Sequence, residues 1–255
     1  MNIISEWFGR LGNNLQQISN AIYYCMENKI NFYCPEHQYI NSFEIKFGED
    51  KNLNSMFYYF NENPLRECNI EQMNWMRPKI LQDYVVPNFK VDSNIDIDEK
   101  TLIIHIRQGD IFFQSPHPEY VQNPLWYYKK IMKNYKDVLI ITQKENSNPV
   151  INELKKDKKV RIQSGDVLND FLTIMNASNV ATSGVGTFSI AAVLCSNKIK
   201  NFYCTDLYLT NHLNPEMLKT TSVYRTELKN YIEIGNWKNS IEQRELMLNY
   251  VGEEL

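Results

Sequence analysis

The sequence predicts an α/β protein with a Rossmann-like parallel sheet. Between residues 101 and 205, short apolar runs alternate with longer segments in which apolar residues recur at helical spacing, and the turns between them are short. Strands that alternate with helices in this way form parallel sheets covered by their crossover helices. We expect a smaller α/β lobe at residues 1–90, a Rossmann-like lobe at 101–235 and a C-terminal helix at 236–255.

The first half contains three predicted elements. Apolar residues at helical spacing predict a helix at 13–29, and a strand at 30–34 and a second helix at 70–84 follow. The segment 87–100 is polar and acidic, as is typical of a linker between domains.

The second half contains nine predicted elements in alternation. We expect strands at 102–106, 138–142, 160–163, 179–182 and 200–204, and helices at 126–135, 149–156, 167–177 and 187–196.

The most informative motif is His105-Ile106-Arg107-Gln108-Gly109-Asp110, which follows the apolar run 102–104. It places an arginine where a buried strand opens into a loop, and ligands of open α/β sheets bind at that edge. A guanidinium offers a planar fork of donors for two phosphate oxygens. The alternative is an arginine that pairs with Asp110 to hold the turn.

Two glycine-containing turns precede helices. The run Gly9-Arg10-Leu11-Gly12-Asn13-Asn14 leads into the first helix, and Ser183-Gly184-Val185-Gly186-Thr187-Phe188-Ser189 leads from an apolar run into another. Backbone N–H groups in such turns approach a ligand closely, and the helix dipole favours an anion. Neither turn contains the Gly-Lys-Ser/Thr of an ordinary ATP or GTP phosphate loop, which excludes that class of site.

In this order, and with Asp170-Phe171 ahead of the last motif, these segments resemble the α-1,2-fucosyltransferases and the related α-1,6- and protein O-fucosyltransferases. The resemblance spans about residues 9 to 196. It implies a two-lobed GT-B fold, with the acceptor side in the lobe 1–90 and the donor nucleotide in the lobe 101–235. The same resemblance implies an enzyme that transfers a sugar, with L-fucose preferred, from a GDP-sugar to a hydroxyl of a glycan acceptor. It also implies inversion at the anomeric carbon, no metal ion and no cofactor besides the donor.

The resemblance assigns roles to individual residues. Arg107 would grip the β-phosphate and steady the departing diphosphate, a role that fits the large catalytic weight of preorganised positive charge. His105 would lie beside the nucleotide or the sugar, and Asp170 would face the N1/N2 edge of guanine. The phosphates would contact Gly186, Thr187, Phe188 and Ser189, and the sugar and acceptor would be bordered by Arg10, Gly12 and Asn13.

The catalytic base is predicted in the loop after the arginine motif. Inverting displacement needs a proton acceptor within hydrogen-bond reach of the attacking hydroxyl. Glu119 is our first candidate, His117 the second, and Asp110 is held in reserve because its position implies that it orients Arg107. A surface loop without a chemical role is the alternative.

Three departures leave other functions open. Gln108 stands where many relatives have a second arginine, Asn14 stands where a glutamine is typical, and the tryptophans that bacterial members carry after the last motif are absent. One alternative is a glycosyltransferase that uses another nucleotide sugar or the metal-dependent fold. Another is a non-catalytic domain that binds a GDP-sugar or a carbohydrate.

Asp96-Ile97-Asp98 has the Asp-x-Asp pattern of the metal-dependent glycosyltransferase fold. The pattern precedes its strand here, as a solvated linker would.

Composition limits the partners. The formal net charge of −3 argues against nucleic acid, and no apolar stretch approaches the ~20 residues that span a bilayer. The five cysteines form no Cys-x-x-Cys pair and the four histidines have no zinc-ligand spacing. We therefore expect a cytoplasmic protein with reduced thiols, no transmembrane segment, and a nucleotide-sugar donor and a glycan acceptor as partners.

Overall fold

The computed structural model describes residues 4, 6–51, 68–219 and 221–253. The chain divides into two compact units, neither of which is continuous in sequence. The first unit comprises Met1–Ile95, Ile190–Asn197 and Leu209–Lys219, and the second comprises Asp96–Ser189, Lys198–Tyr208 and Thr220–Leu255.

The first unit is built around helix α1 (Leu11–Glu27), which is buried along most of its length. Strands β1 (Phe32–Cys34) and β2 (Phe43–Ile45) pair antiparallel, with Phe32 opposite Ile45. Helix α2 (Ile70–Ile80) continues into a π-helical turn at Leu81–Val85. The predicted helices at 13–29 and 70–84 are confirmed with shifted ends, whereas β2 was not predicted.

The Asn69 side chain caps α2 by accepting a hydrogen bond from the backbone N–H of Gln72 at 3.1 Å. Such a cap satisfies one of the unpaired donors of the first turn and fixes where the helix begins.

The second unit contains a six-stranded parallel sheet. Its strands are β3 (Thr101–His105), β4 (Asp137–Ile141), β5 (Val160–Gln163), β6 (Asn179–Ala181), β7 (Asn201–Thr205) and β8 (Ser222–Thr226). All of β3 is buried, as its apolar run requires of a central strand. The predicted α/β class is confirmed. The five strands predicted in the second half are also confirmed, with every end within one residue of its predicted position. The exposed strand β8 was not predicted.

Helices connect and flank these strands. They are α3 (Leu125–Met132), α4 (Pro149–Leu154), α5 (Val167–Met175), α6 (Phe188–Cys195) and α7 (Ile241–Asn249). Helices α3, α4 and α7 contact one another. Among the described residues, every helix is too short or too polar to span a lipid bilayer.

The strand order β5-β4-β3-β6-β7-β8 determines where a ligand can bind. Counted from β3 it is the Rossmann order 3-2-1-4-5-6, in which the chain fills one side of the first strand and then returns to the other side. The order reverses between β3 and β6, and ligands of open α/β sheets bind in the crevice beyond the carboxyl ends at such a switch point. The two-lobed GT-B arrangement implied by the resemblance stays a prediction.

Candidate functional site

The loops that leave β3 and β6 form the candidate site in the second unit. β3 pairs with β6 from Leu102 to Ile104, so both strands end at the same edge of the sheet. The structure brings four of the predicted site residues together there. A Cβ atom on Gly186 would lie 3.3 Å from Cδ of Arg107, and the rings of His105 and Phe188 are 5.2 Å apart between centroids.

Arg107 is held in place on two sides. Its side chain is 15% exposed, its Nη2 lies 3.3 Å from Oδ1 of Asp110, and its guanidinium carbon lies 4.4 Å from the centroid of the Tyr120 ring. An arginine over an aromatic face gains a cation–π attraction. The distance from Nη2 to Asp110 exceeds that of a short charge-assisted hydrogen bond, so the contact with Asp110 leaves room for a phosphate to compete for the same guanidinium. The turn-holding interpretation of Arg107 is therefore compatible with a ligand-binding role.

Two buried polar atoms near Arg107 make no hydrogen bond within the described part of the chain. They are Nδ1 of His105 and Oγ of Ser183. Buried polar groups are nearly always paired, so an unpaired one calls for a partner such as water or a ligand. Burial, with a smaller contribution from the charge of Arg107, lowers the pKa of His105 to about 3, and the imidazole is neutral at pH 7. A neutral imidazole and a hydroxyl can donate or accept as a ligand requires.

The turn after β6 depends on glycine. Gly184 has φ +94°, and a Cβ atom there would lie 2.7 Å from the carbonyl oxygen of Val121. The turn is fixed against the segment before α3 because the N–H of Val185 donates to Val121 at 3.0 Å and the N–H of Asn123 donates to Ser183 at 3.3 Å. Larger residues would displace this turn and, with it, the Ser183 hydroxyl.

Gln108 has a structural role in this protein. Its Nε2 donates to the carbonyl of Gln143 at 2.7 Å, and its backbone N–H donates to Oε1 of Gln143 at 3.1 Å. Nδ2 of Asn148 donates to the carbonyl of Arg107 at 2.9 Å. Oε1 of Gln108 accepts a hydrogen bond from the N–H of Ser147 at 3.3 Å. The loop that carries Arg107 is thus tied to the loop after β4, and an arginine at 108 could not accept that hydrogen bond, because its side chain has no acceptor.

Asp170 stabilises the loop between β5 and α5. Its Oδ1 accepts hydrogen bonds from Nε2 of Gln163 at 2.9 Å and from the N–H of Gly165 at 3.1 Å. Burial raises the pKa of Asp170, although both hydrogen bonds oppose the rise. Phe171, the next residue, packs edge-on against Phe188 at 5.5 Å, which links this loop to the site. Recognition of guanine by Asp170 stays a prediction.

Thr187 and Ser189 flank Phe188 at the start of α6. Ser189 is buried and Thr187 is partly exposed. Their predicted contacts with phosphates are not tested by the structure.

His117 and Glu119 lie in an exposed loop that reaches Arg107 through Tyr120. Nδ1 of His117 is 3.8 Å from Oε2 of Glu119, and the His117 and Tyr120 rings are 4.9 Å apart. Tyr120 also faces the Arg107 guanidinium. His117 is therefore linked to Arg107 through Tyr120, and Glu119 is linked to it through His117 and Tyr120. The loop is anchored by hydrogen bonds from the N–H groups of Gly235 and Trp237 to the carbonyl of Pro118.

Arg10, Gly12 and Asn13 belong to the first unit, where they form the start of α1. Arg10 is exposed, Gly12 is buried and Asn13 is partly exposed. The neighbouring Asn14 is buried; its Nδ2 donates to the carbonyl of Phe8 at 2.8 Å and its Oδ1 lies 3.2 Å from Nε2 of His37. Asn14 therefore fixes the glycine turn, a role that a longer glutamine would fill differently.

Sequence reasoning missed Tyr120 and the free hydroxyl of Ser183. Tyr120 carried no motif, and its contact with Arg107 joins residues 13 positions apart, which no local pattern indicates. Ser183 was quoted as part of a glycine turn, but its burial without a partner became visible only in three dimensions.

The alternative metal motif lies in an irregular segment just before the turn that leads into β3. Asp96 and Asp98 are exposed, and Asp98 accepts hydrogen bonds from the backbone N–H groups of Lys100 and Thr101. Across the residues that the structure describes, no group of three or more histidine, cysteine, aspartate or glutamate side chains could hold a metal ion.

Comparisons of the chain with protein-family models, with curated proteins and with solved structures found no match.

Proposed function

We propose that this protein is a glycosyltransferase that moves a sugar, with L-fucose as first choice, from a GDP-sugar to a hydroxyl of a glycan acceptor. One observation carries the proposal: Arg107, the unpaired Nδ1 of His105 and the unpaired Oγ of Ser183 lie at the carboxyl ends of β3 and β6, which flank the switch point of a Rossmann-ordered sheet. Function has to be argued from such a site, because many unrelated activities share this fold.

A diphosphate fits the chemistry of these groups. A guanidinium can bind two oxygens of one phosphate at once, and neutral donors can bind the rest without a metal ion. The phosphate would also compete with Asp110 for Arg107, since it carries more charge than one partly exposed carboxylate.

The same groups would assist the departure of the diphosphate. In an inverting displacement the acceptor oxygen bonds to the anomeric carbon while the bond from that carbon to the phosphate oxygen breaks and its electron pair leaves with GDP. Negative charge then develops on the leaving oxygen, where preorganised donors give the largest catalytic effect. The proton of the acceptor hydroxyl must go to a base, for which Glu119 is proposed first and His117 second.

A non-catalytic GDP-sugar-binding domain is the second candidate. It is favoured by Gln108, whose side chain is fully used in holding the loop after β4 and adds no positive charge to the site. Such a domain would bind GDP but would not release it from any GDP-sugar.

Calorimetric titration with GDP and with UDP, each with and without EDTA, tests the nucleotide site. We expect GDP to bind in EDTA and more tightly than UDP. Loss of GDP binding in EDTA would refute the metal-independent site, and equal affinities would refute guanine selectivity.

Incubation with a panel of labelled GDP-sugars, followed by mass measurement of released or transferred sugar, tests turnover. Release from GDP-fucose supports the enzyme, release from another sugar alone corrects the donor, and GDP binding without release favours the non-catalytic domain. Glu119→Gln and His117→Gln test the base: we expect one of them to lose transfer while GDP affinity is kept. Unchanged transfer in both would remove this loop from the chemistry.

A further inference from the structure

The first unit contains a cleft with an exposed tryptophan. The cleft has a volume of about 700 Å³ and lies between the start of α2, with Gln72, Asn74 and Trp75, and the segment 210–219, with Thr210 and Lys219. Trp75 is 64% exposed, whereas Trp237 is buried. A mostly exposed indole beside polar side chains leaves a large apolar face open to a ligand.

The α2 wall is held in place by a buried arginine. Arg77 donates from Nη1 to Oδ1 of Asn20 at 2.8 Å and to Oγ of Ser19, both on α1, and from Nη2 to Oδ1 of Asn74 at 3.0 Å. Because the oxygen of Asn74 accepts from Arg77, its amide N–H groups are left for the cleft. The wall around Trp75 is therefore rigid before any ligand arrives.

The opposite wall is fastened to the same helix. Gln16 on α1 accepts a hydrogen bond from the N–H of Leu213 and donates to the carbonyl of Asn211, each at 3.0 Å. Within the segment, Oδ1 of Asn214 accepts from the N–H of Glu216 at 3.0 Å and Nδ2 donates to the carbonyl of His212 at 3.0 Å. Helix α1 thus fixes both sides of the cleft, as a preorganised binding site requires.

We propose that this cleft binds an oligosaccharide, with one pyranose ring stacked on the indole of Trp75. The C–H groups on a pyranose face carry partial positive charge and are attracted to the negative face of an aromatic ring. Sugar hydroxyls both donate and accept; the amide of Gln72 offers both functions and that of Asn74 offers its N–H groups, and both residues line the cleft with Trp75. The volume falls in the usual range for small-ligand sites.

The charges of the lining favour a neutral or amino-sugar chain. Glu71 and Glu216 contribute two carboxylates, and Lys219 contributes one ammonium group. A sulfated chain would meet net negative charge and bind less well. The inference does not depend on the proposed function, because every residue that it uses lies in the first unit and outside the nucleotide site.

Calorimetry with neutral tetrasaccharides of glucose, N-acetylglucosamine, mannose and galactose, and with a heparin tetrasaccharide, tests the proposal on the full chain. We expect at least one neutral chain to bind more tightly than heparin. Trp75→Ala should weaken that binding about tenfold or more, since aromatic anchors dominate binding energy, whereas Trp75→Phe should retain most of it. The matched control is Phe113→Ala, which removes an aromatic ring that is 60% exposed outside the cleft and should leave affinity unchanged.

Binding by none of the neutral chains, or equal affinity in wild type and Trp75→Ala, would overturn the proposal. Tighter binding of heparin would overturn the assignment of a neutral ligand. GDP titrations on the same samples separate the two proposals: GDP binding without glycan binding refutes only this cleft, and glycan binding without GDP binding refutes only the nucleotide site.

Discussion

Arg107→Lys separates a phosphate-binding arginine from one that only holds a turn. The substitution keeps the positive charge but loses the planar fork of donors. In the folded protein it removes a 3.3 Å contact with the partly exposed Asp110 and the stacking on Tyr120. Contacts of these kinds contribute about 0.2–1 kcal/mol and about 0.5–1 kcal/mol. We therefore expect the free energy of unfolding to fall by about 1 kcal/mol.

The expected effect on turnover is larger. Removal of one preorganised donor from a developing negative charge costs roughly 10²-fold or more in rate, which corresponds to about 2.7 kcal/mol. The loss of activity should thus exceed the loss of stability. The assay is GDP release from the GDP-sugar identified by the panel, with urea unfolding of the same preparations.

The matched control is Arg161→Lys. Arg161 makes a two-point contact with Asp137 through Nε at 3.1 Å and Nη2 at 2.7 Å, but it is largely exposed on β5. It should lose at most about 1 kcal/mol of stability and no activity. Near wild-type turnover in Arg107→Lys would refute the reasoning and leave Arg107 as a turn residue.

Three further predictions concern the same unit. Gly184→Ala should destabilise the fold by about 2–4 kcal/mol, because an unfavourable positive φ and a clash with neighbouring backbone add together. The control is Gly235→Ala, where φ is +95° and no atom lies within 4 Å of a new Cβ, so only the cost of the positive φ should appear. Equal losses of unfolding free energy in urea would contradict this. Asp170→Asn should weaken GDP binding by about 1–3 kcal/mol and UDP binding by less, and equal losses in calorimetry would reduce Asp170 to a loop-stabilising group. Because the pKa of His105 is lowered to about 3 in the folded state, the unfolded state binds more protons below pH 6.5. As the pH falls from 6 to 4, the wild type should therefore lose roughly 1 kcal/mol of stability per pH unit relative to His105→Gln. The prediction is wrong if the difference between the urea-unfolding midpoints of the two proteins stays constant over that range.

The parallel sheet could be predicted because its central strands carry continuous apolar runs. Strands β3 and β4 are buried almost throughout, and a strand buried on both faces must be apolar along its length. Strand β8 was missed because four of its five residues are exposed, so no pattern of burial marks Ser222–Thr226. The short strand β2 was missed for a similar reason.

The candidate site could be predicted in part. The position of Arg107 followed from a strand that ends in a loop, which is a local pattern. The contacts that hold the arginine loop in place are not local. Gln108 bonds to Gln143, which is 35 positions away in the sequence. Tyr120 stacks on the Arg107 guanidinium, but nothing in the sequence around Tyr120 indicates that contact. The assignment of segments 190–197 and 209–219 to the first unit likewise depends on distant contacts.

The discontinuous first unit has a consequence for biosynthesis. Gln82 donates to the carbonyls of Leu194 and Ser196, and Gln16 pairs with the backbone around Leu213. Translation proceeds from the amino terminus at about 5–20 residues per second. Gln16 on α1 therefore stays without its partners on the ribosome until the segment 209–219 has emerged, although α2, which also bonds to α1, is made earlier. That interval lasts roughly ten seconds or more, and a fragment that ends at residue 95 would leave Gln16 and Gln82 without these backbone partners permanently.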